Sequence, residues 1–250
     1  MREKIKPSTE LGFKVILNLQ RTGSITPILN NSKVWKKMIN NLLNRRNKID
    51  GLELLSKIND NIVKACFFDP QYRGLLEKIN YGNTKRELRR KSLPQMSEEL
   101  IIKFVHEICR TLLPSGHLFL WMDKFQLTEG FQHWIKDTEL NIVDLIVWEK
   151  PRIGMGYRTR NKCEFMMVFQ KSPKRVKGVW TIHNIPNVWK ESVDTSEHPH
   201  AKPIELQTKL IEAISQDGDL ILDPAMGSGS VLDACLNINR NFIGGDIMDK

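Results

Sequence analysis

The chain has 250 residues, 40% hydrophobic and 27% charged, a balance that suits a soluble globular protein able to bury a sizeable core. Its net charge of +9, from 38 Lys and Arg against 29 Asp and Glu, favours a polyanionic partner. No apolar run is long enough to span a bilayer, and Met1-Arg2-Glu3-Lys4-Ile5-Lys6-Pro7 lacks the apolar stretch of a secretory signal, so a cytoplasmic protein without a membrane partner is expected.

Near the N-terminus, Phe13-Lys14-Val15-Ile16-Leu17 reads as a short strand. From Ser32 to about Arg46, Val34, Trp35, Met38, Ile39, Leu42 and Leu43 recur at helical spacing behind Ser32 as N-cap. Leu52–Ile58 is a further short helix. Ile62-Val63-Lys64-Ala65-Cys66-Phe67-Phe68 is a nearly continuous apolar run, the pattern of a strand buried on both faces of a parallel sheet. Residues 73–95 form a basic connection. Ser97 to Leu113 is a helix stopped by Pro114-Ser115-Gly116, and His117–Met122 is a strand.

Phe131 to Lys136 reads as part of a helix, and Ile142–Trp148 and Phe165–Phe169 as strands. Residues 171–200 break the alternation. Ile204–Ile214 is a helix with Pro203 at its first turn, Leu220–Leu222 a strand, Ser230–Leu236 a helix and Asn241–Gly244 a strand. Strands alternating with helices imply a doubly wound, mostly parallel α/β sheet. The four cysteines, Cys66, Cys109, Cys163 and Cys235, show no metal-ligand spacing and read as reduced thiols in or near the core, so no metal is expected.

Two segments carry chemistry. Asp223-Pro224-Ala225-Met226-Gly227-Ser228-Gly229-Ser230 lies between a strand and a helix, where glycines let the backbone turn sharply and approach a nucleotide-type ligand. Leu232 occupies the position of the third glycine in a dehydrogenase fingerprint, which argues against a nicotinamide cofactor. Asp246, at the end of the next strand, is placed to accept hydrogen bonds from ribose hydroxyls. Asp69-Pro70-Gln71-Tyr72 closes the earlier buried strand. The Asp69 carboxylate and the Pro70 carbonyl can each accept one N–H of an amino group, and Tyr72 offers a ring for a planar base.

In this order, with His198-Pro199-His200-Ala201-Lys202-Pro203 between them, the segments resemble the circularly permuted (beta) class of S-adenosylmethionine-dependent DNA amino-methyltransferases. The similarity covers about residues 48–250. It implies the class I methyltransferase (Rossmann-like) fold, with S-adenosylmethionine held by Asp223, Pro224, Ala225, Gly227, Ser228, Gly229, Ser230 and Asp246, by His198, Lys202 and Pro203 at its methionine end, and by Asp50 near its adenine. Asp69, Pro70 and Tyr72 become the catalytic group. Gln71 and Ala225 depart from the family pattern, which has a second proline and an aromatic there.

The resemblance divides the chain into an N-terminal extension (1–47), a catalytic half (48–150), a variable target-recognition region (151–197) and a cofactor-binding half (198–250). Asp at the head of the clamp tilts it toward adenine N6 over cytosine N4. Carbon-5 methylation needs a cysteine nucleophile, typically after proline, and no cysteine here follows one. Two basic stretches are assigned to duplex DNA: Arg73, Lys85, Arg86, Arg89 and Arg90, then Arg152, Arg158, Arg160, Lys174 and Arg175. Trp180, His183, Asn184 and Trp189 fall in the small recognition region. Restriction-modification, a cognate restriction enzyme, a homodimer and nucleoid association in a prokaryote or phage belong to the same implication. The competing readings are a cytosine-N4 enzyme, an RNA or single-strand substrate, and a silent DNA-binding subunit.

Overall fold

The computed structural model describes residues 39–71, 96–154, 158–194 and 201–247. Eight strands form one sheet: β1 (Arg46–Lys48), β2 (Val63–Phe68), β3 (Leu112–Met122), β4 (Leu140–Glu149), β5 (Cys163–Lys171), β6 (Val188–Lys190), β7 (Leu220–Asp223) and β8 (Asn241–Asp246). Their spatial order is β1-β8-β7-β2-β3-β5-β4-β6. Every neighbouring pair is parallel except those made by β5, which runs against both β3 and β4. The sheet is therefore mostly parallel, as expected.

Alternation along the central strands sorts the core into two layers. Cys66 and Phe68 of β2 face one side, with α1 (Gly51–Ser56) and α2 (Glu98–Thr111); Ala65 and Phe67 face the other, with α4 (Ile204–Ile214) and α5 (Ser230–Asn237). Phe68 stacks on Phe104 of α2 at 5.0 Å, and Phe67 on Phe119 of β3 at 4.6 Å. The Ser97 hydroxyl caps α2 by accepting from the Leu100 amide at 3.3 Å.

Three sequence expectations change. The helical pattern over 32–46 does not run to Arg46: past Asn40 the chain turns, Asn44 takes φ +55°, and β1 begins. Asn44 exchanges two hydrogen bonds with Phe242, its backbone amide donating to the Phe242 carbonyl and its side-chain Oδ1 accepting from the Phe242 amide. Asparagine tolerates that left-handed geometry, so sheet pairing overrides the helical period.

Pro114-Ser115-Gly116 does not stop α2, which ends at Thr111; it forms a bulge in β3, between the pairings Val63↔Leu112 and Ala65↔His117. The apolar spacing at Phe131 and Trp134 serves one 3₁₀ turn, Gln132–Trp134, because Gly130 at φ +105° separates it from α3 (Lys124–Glu129). The proposed strand at 13–17 and the basic connection at 73–95 lie outside the described residues, as do residues 32–38 of the proposed helix. Within the proposed variable region 151–197, β5 is an interior strand and β6 an edge.

Candidate active site

Open α/β sheets bind ligands at the carboxyl ends of their strands. Here β7 and β2 are adjacent, paired at Ala65↔Ile221 and Cys66↔Leu222, so the segments they launch leave the same edge side by side. Neighbouring strands lie about 4.8 Å apart. Asp69 and Asp223 therefore share one site, the juxtaposition that the sequence argument requires. Asp69 is half-buried and Pro70 buried; the Gln71 carbonyl accepts from the Met96 amide at 2.8 Å.

The glycine loop is folded against β8. The Met226 amide donates to the Gly245 carbonyl at 3.1 Å, and the Gly227 amide to Asp246 Oδ2 at 3.0 Å. Gly227 and Gly229 take φ +46° and +79°, a region that side chains disfavour, so glycine is favoured at both turns. Gly229 caps α5, and a Cβ on it would meet the Arg46 guanidinium at 2.9 Å. Ser228 is half-buried, while Ser230 and Pro224 are buried. Half-buried Ala225 packs against the core on the α2 side, in the place of the family's aromatic.

β1 pairs with β8 in the register Lys48↔Asp246, which brings the segment after β1 to the same edge. There Asp50 Oδ1 accepts from the Leu52 and Glu53 amides at 2.9 and 3.1 Å and caps α1.

Electrostatics separate the carboxyls. Burial, reinforced by Asp69 and Asp246, outweighs a hydrogen bond from the Ala225 amide and pushes Asp223 up to about 8. Asp69 makes a 2.9 Å ion pair through Oδ2 with Lys202, whose ammonium also lies 2.8 Å from Glu164 Oε2. Burial works against the charge of Lys202, but Asp69 and Glu164 raise it above the ordinary lysine range. Burial likewise opposes ionisation of Glu164, yet Lys202 and Lys150 hold it at about 2. Glu164 was not among the residues expected at the site. The available signal was a lone carboxylate in the otherwise apolar run Cys163–Phe169.

Of the second basic stretch, Arg152, Arg158 and Arg160 are exposed in the β4–β5 connection, next to the catalytic edge. Its stem is closed by Lys150 N to Lys162 O at 2.7 Å and Gly154 N to Asn161 O at 2.6 Å, and Arg160 Nε donates to the Gly154 carbonyl. Lys174 and Arg175 lie elsewhere. Because β5 runs antiparallel, its end returns to the opposite edge, where Lys171 Nζ reaches Asn61 Oδ1 and the Leu112 carbonyl, and Ser115 Oγ reaches the Pro173 carbonyl. Lys174 and Arg175, assigned to duplex DNA with the rest of the stretch, therefore do not share the edge at which β2 and β7 end.

Trp180 and Trp189 are half-buried against the α4 side of the core, while His183 and Asn184 are exposed. Glu191, beside Trp189, caps α4 from a distance by accepting from the Glu205 and Leu206 amides at 3.0 Å each. Tyr72, Arg73, Lys85, Arg86, Arg89, Arg90 and His198 lie outside the described residues. Pro203 is buried at the start of α4.

A glycine turn and an acidic strand end, beside a second strand-ending aspartate at the carboxyl edge of a mostly parallel sheet, form the kind of crevice in which α/β proteins bind nucleotide-type ligands. Residues 63–250 match the DNA methylase family, and the chain belongs to that family: it is an S-adenosylmethionine-dependent DNA methyltransferase. It is 52% identical over 209 residues to type II methyltransferase M.HhaII of Haemophilus parahaemolyticus, covering 82% of this chain and 92% of that one. M2.DpnII of Streptococcus pneumoniae is 38% identical over 234 residues, 79% and 82% of the two chains.

The fold resembles that of M1.HpyAVI in its complex with S-adenosylmethionine, with a TM-score of 0.58 at 18% identity over 82% of this chain and 93% of that one. It also resembles PvuII DNA methyltransferase, described as cytosine-N4-specific, with a TM-score of 0.62 at 16% identity over 81% of each.

The cofactor suits the residues present. It carries a sulfonium and an ammonium, and the site offers Asp69, Asp223 and Asp246 close enough for the first and last to raise the middle one. Carboxyl oxygens gathered at this edge can accept hydrogen bonds from an ammonium and from ribose hydroxyls. No helix among the described residues is long and apolar enough to cross a membrane.

Proposed function

We propose that the enzyme methylates the N6 amino group of an adenine flipped out of duplex DNA. The supporting observation is the adjacency of β2 and β7, which sets Asp69 beside the glycine loop. Asp69 accepts one amino N–H and the Pro70 carbonyl the other, drawing the nitrogen toward tetrahedral geometry and freeing its lone pair; Tyr72 stacks on the base. Bound S-adenosylmethionine would supply a sulfonium methyl group, whose carbon the amino lone pair would attack in line, forming the N–C bond as the C–S bond breaks and the sulfur leaves as a neutral thioether. One proton must then leave the amino nitrogen, and Asp69 lies where it is released. Catalysis rests on orientation and on acceptors fixed before the base arrives.

In this reading Asp246 takes the ribose hydroxyls, and the backbone from Gly227 to Ser230 approaches the cofactor, bordered by Asp223, Pro224 and Ala225. Asp50 lies toward the adenine, with His198 and Pro203 at the methionine end. The Lys202 ammonium is committed to Asp69 and Glu164, which draws its role toward the clamp. Arg152 and Arg158 neutralise phosphates beside the flipped base, and Arg160 braces their loop.

A homodimer, a cognate restriction enzyme and a cytoplasmic location complete the proposal; light scattering tests the first. The deciding experiment is nucleoside analysis of DNA from cells expressing the enzyme or its Asp69→Ala variant. N6-methyladenine is expected with the wild type and its loss with the variant. N4-methylcytosine would overturn the choice of base, and a fully active, folded Asp69→Ala would overturn the clamp.

A further inference from the structure

Glu164 belongs to no segment of the clamp or the cofactor loop, yet it is tied to two lysines at this edge. Its Oε1 pairs with Lys150 and its Oε2 with Lys202 at 2.8 Å. Three separate elements meet at the Lys202 ammonium: Asp69 follows β2, Glu164 lies on β5, and Lys202 immediately precedes α4. β2 and β5 are not neighbours. β3 runs between them, and its Trp121 ring lies 4.8 Å beneath the ammonium that spans the gap. The same motif repeats outward, with Lys150 over Trp148 at 5.0 Å and the two indoles packed edge-to-face at 6.1 Å.

Such a chain of partly buried charges, centred on Lys202, is a poor way to hold a fold together. Removing ions from water costs several kcal/mol each, and apolar groups of the same volume commonly give equal or greater stability. The Lys202 side chain is only 13% exposed. Its placement instead solves a chemical problem at this edge. Asp69 and Asp223 leave adjacent strands, like charges this close resist joint ionisation, and only an ionised Asp69 has acceptor oxygens alone for an amino group.

We propose that Lys202 and Glu164 are positioning residues: Lys202 assigns the negative charge at the sheet edge to Asp69 and aims its carboxylate, and Glu164 holds Lys202 in place across β3. The inference rests on Asp69 as the amino acceptor. The raised Asp223 agrees with this division, since one aspartate is kept neutral where its neighbour is paired.

Charged groups reach Asp69 from each element around it. Lys202 comes from the segment before α4, Asp223 from the end of β7, and Glu164 of β5 acts through Lys202 with Lys150 behind it. Asp246 of β8 lies beyond Asp223. β3 is followed by Asp123, whose Oδ1 accepts from the Phe125 and Gln126 amides.

The test is the pH dependence of single-turnover methyl incorporation from radiolabelled S-adenosylmethionine into unmethylated bacterial DNA, with cofactor affinity measured by calorimetry. Lys202→Met removes the charge that favours ionised Asp69, so the acidic limb of the rate profile should move up by about one to three pH units, with recovery above it. Glu164→Gln should lower the rate roughly tenfold while cofactor and DNA affinities stay within about twofold. In the double variant the limb should return toward the wild-type position, because Asp69 no longer faces an unpaired Glu164. Lys202→Arg, which keeps the charge, should keep the limb.

A merely structural role would lower melting temperature and rate together without moving the limb. An unmoved limb in Lys202→Met, or a change confined to the cofactor's KM, overturns the proposal. Should Lys202→Met fail to fold, Lys202→Gln, which removes the charge but keeps a polar head, takes its place with the same two readouts. The clamp itself fails separately, by an active Asp69→Ala.

Discussion

Gly51 opens α1, and the sharpest consequence of its packing concerns the cofactor loop. A Cβ placed there would lie 2.2 Å from the Pro224 carbonyl oxygen and 2.5 Å from Cε1 of Phe104, where ordinary contact begins near 3.4 Å. The contact must therefore open by more than an ångström. The Phe104 ring has little freedom to give way, since it is buried and stacked on Phe68. The Pro224 carbonyl is backbone, flanked by the Ala225 amide bound to Asp223 Oδ1 and the Met226 amide bound to the Gly245 carbonyl, each at 3.1 Å. Moving it moves the loop proposed to cradle the cofactor.

Overpacking of this kind costs about 1–3 kcal/mol, offset by under about 1 kcal/mol for the better helix former. Gly51→Ala should thus lower Tm by about 2–8 °C at this chain length and weaken cofactor binding on the order of tenfold. Differential scanning fluorimetry without cofactor and calorimetric titration with S-adenosylmethionine measure the two effects. A variant that melts with the wild type and binds the cofactor equally well would refute the close approach of α1 to the loop.

His117 is 2% exposed with no partner for Nδ1 among the described residues, and burial, aided by Lys64, holds it at about 4. The unfolded chain takes up that proton near pH 6.5, so stability should fall as pH drops from about 6.5 to about 4, by up to about 3 kcal/mol. His117→Leu should flatten the decline in Tm over that window, and an unchanged slope would show that other groups set it. In the β4–β5 connection, Arg152→Ala with Arg158→Ala should reduce the slope of log affinity against log salt for DNA by about two, whereas Lys174→Ala with Arg175→Ala should leave it unchanged. Filter binding across a salt series separates the two pairs, and equal effects would contradict the assignment of the DNA face.

What the sequence made legible follows from where the physics is local. β2 and β7 are nearly continuous apolar runs because both faces of an interior strand are covered, and that pattern survives without any partner in view. The glycine turn was legible for a related reason, since Gly227 and Gly229 hold backbone angles that other residues disfavour. Strand direction has no such local mark. The basic residues from Lys150 to Lys177 read as one stretch, but the reversal at β5 splits them between opposite edges of the sheet.

Glu164 was hidden by the same long-range geometry. In sequence it is one acid opposing a run of lysines and arginines. In the fold it crosses an intervening strand to share an ammonium with Asp69. A polar residue inside a buried apolar run is the local trace that such a partner leaves, because a charge stays in a core only when something distant compensates it. Read that way, the lone carboxylate in Cys163–Phe169 calls for a buried cation at the catalytic edge, and Lys202 is the residue that meets it.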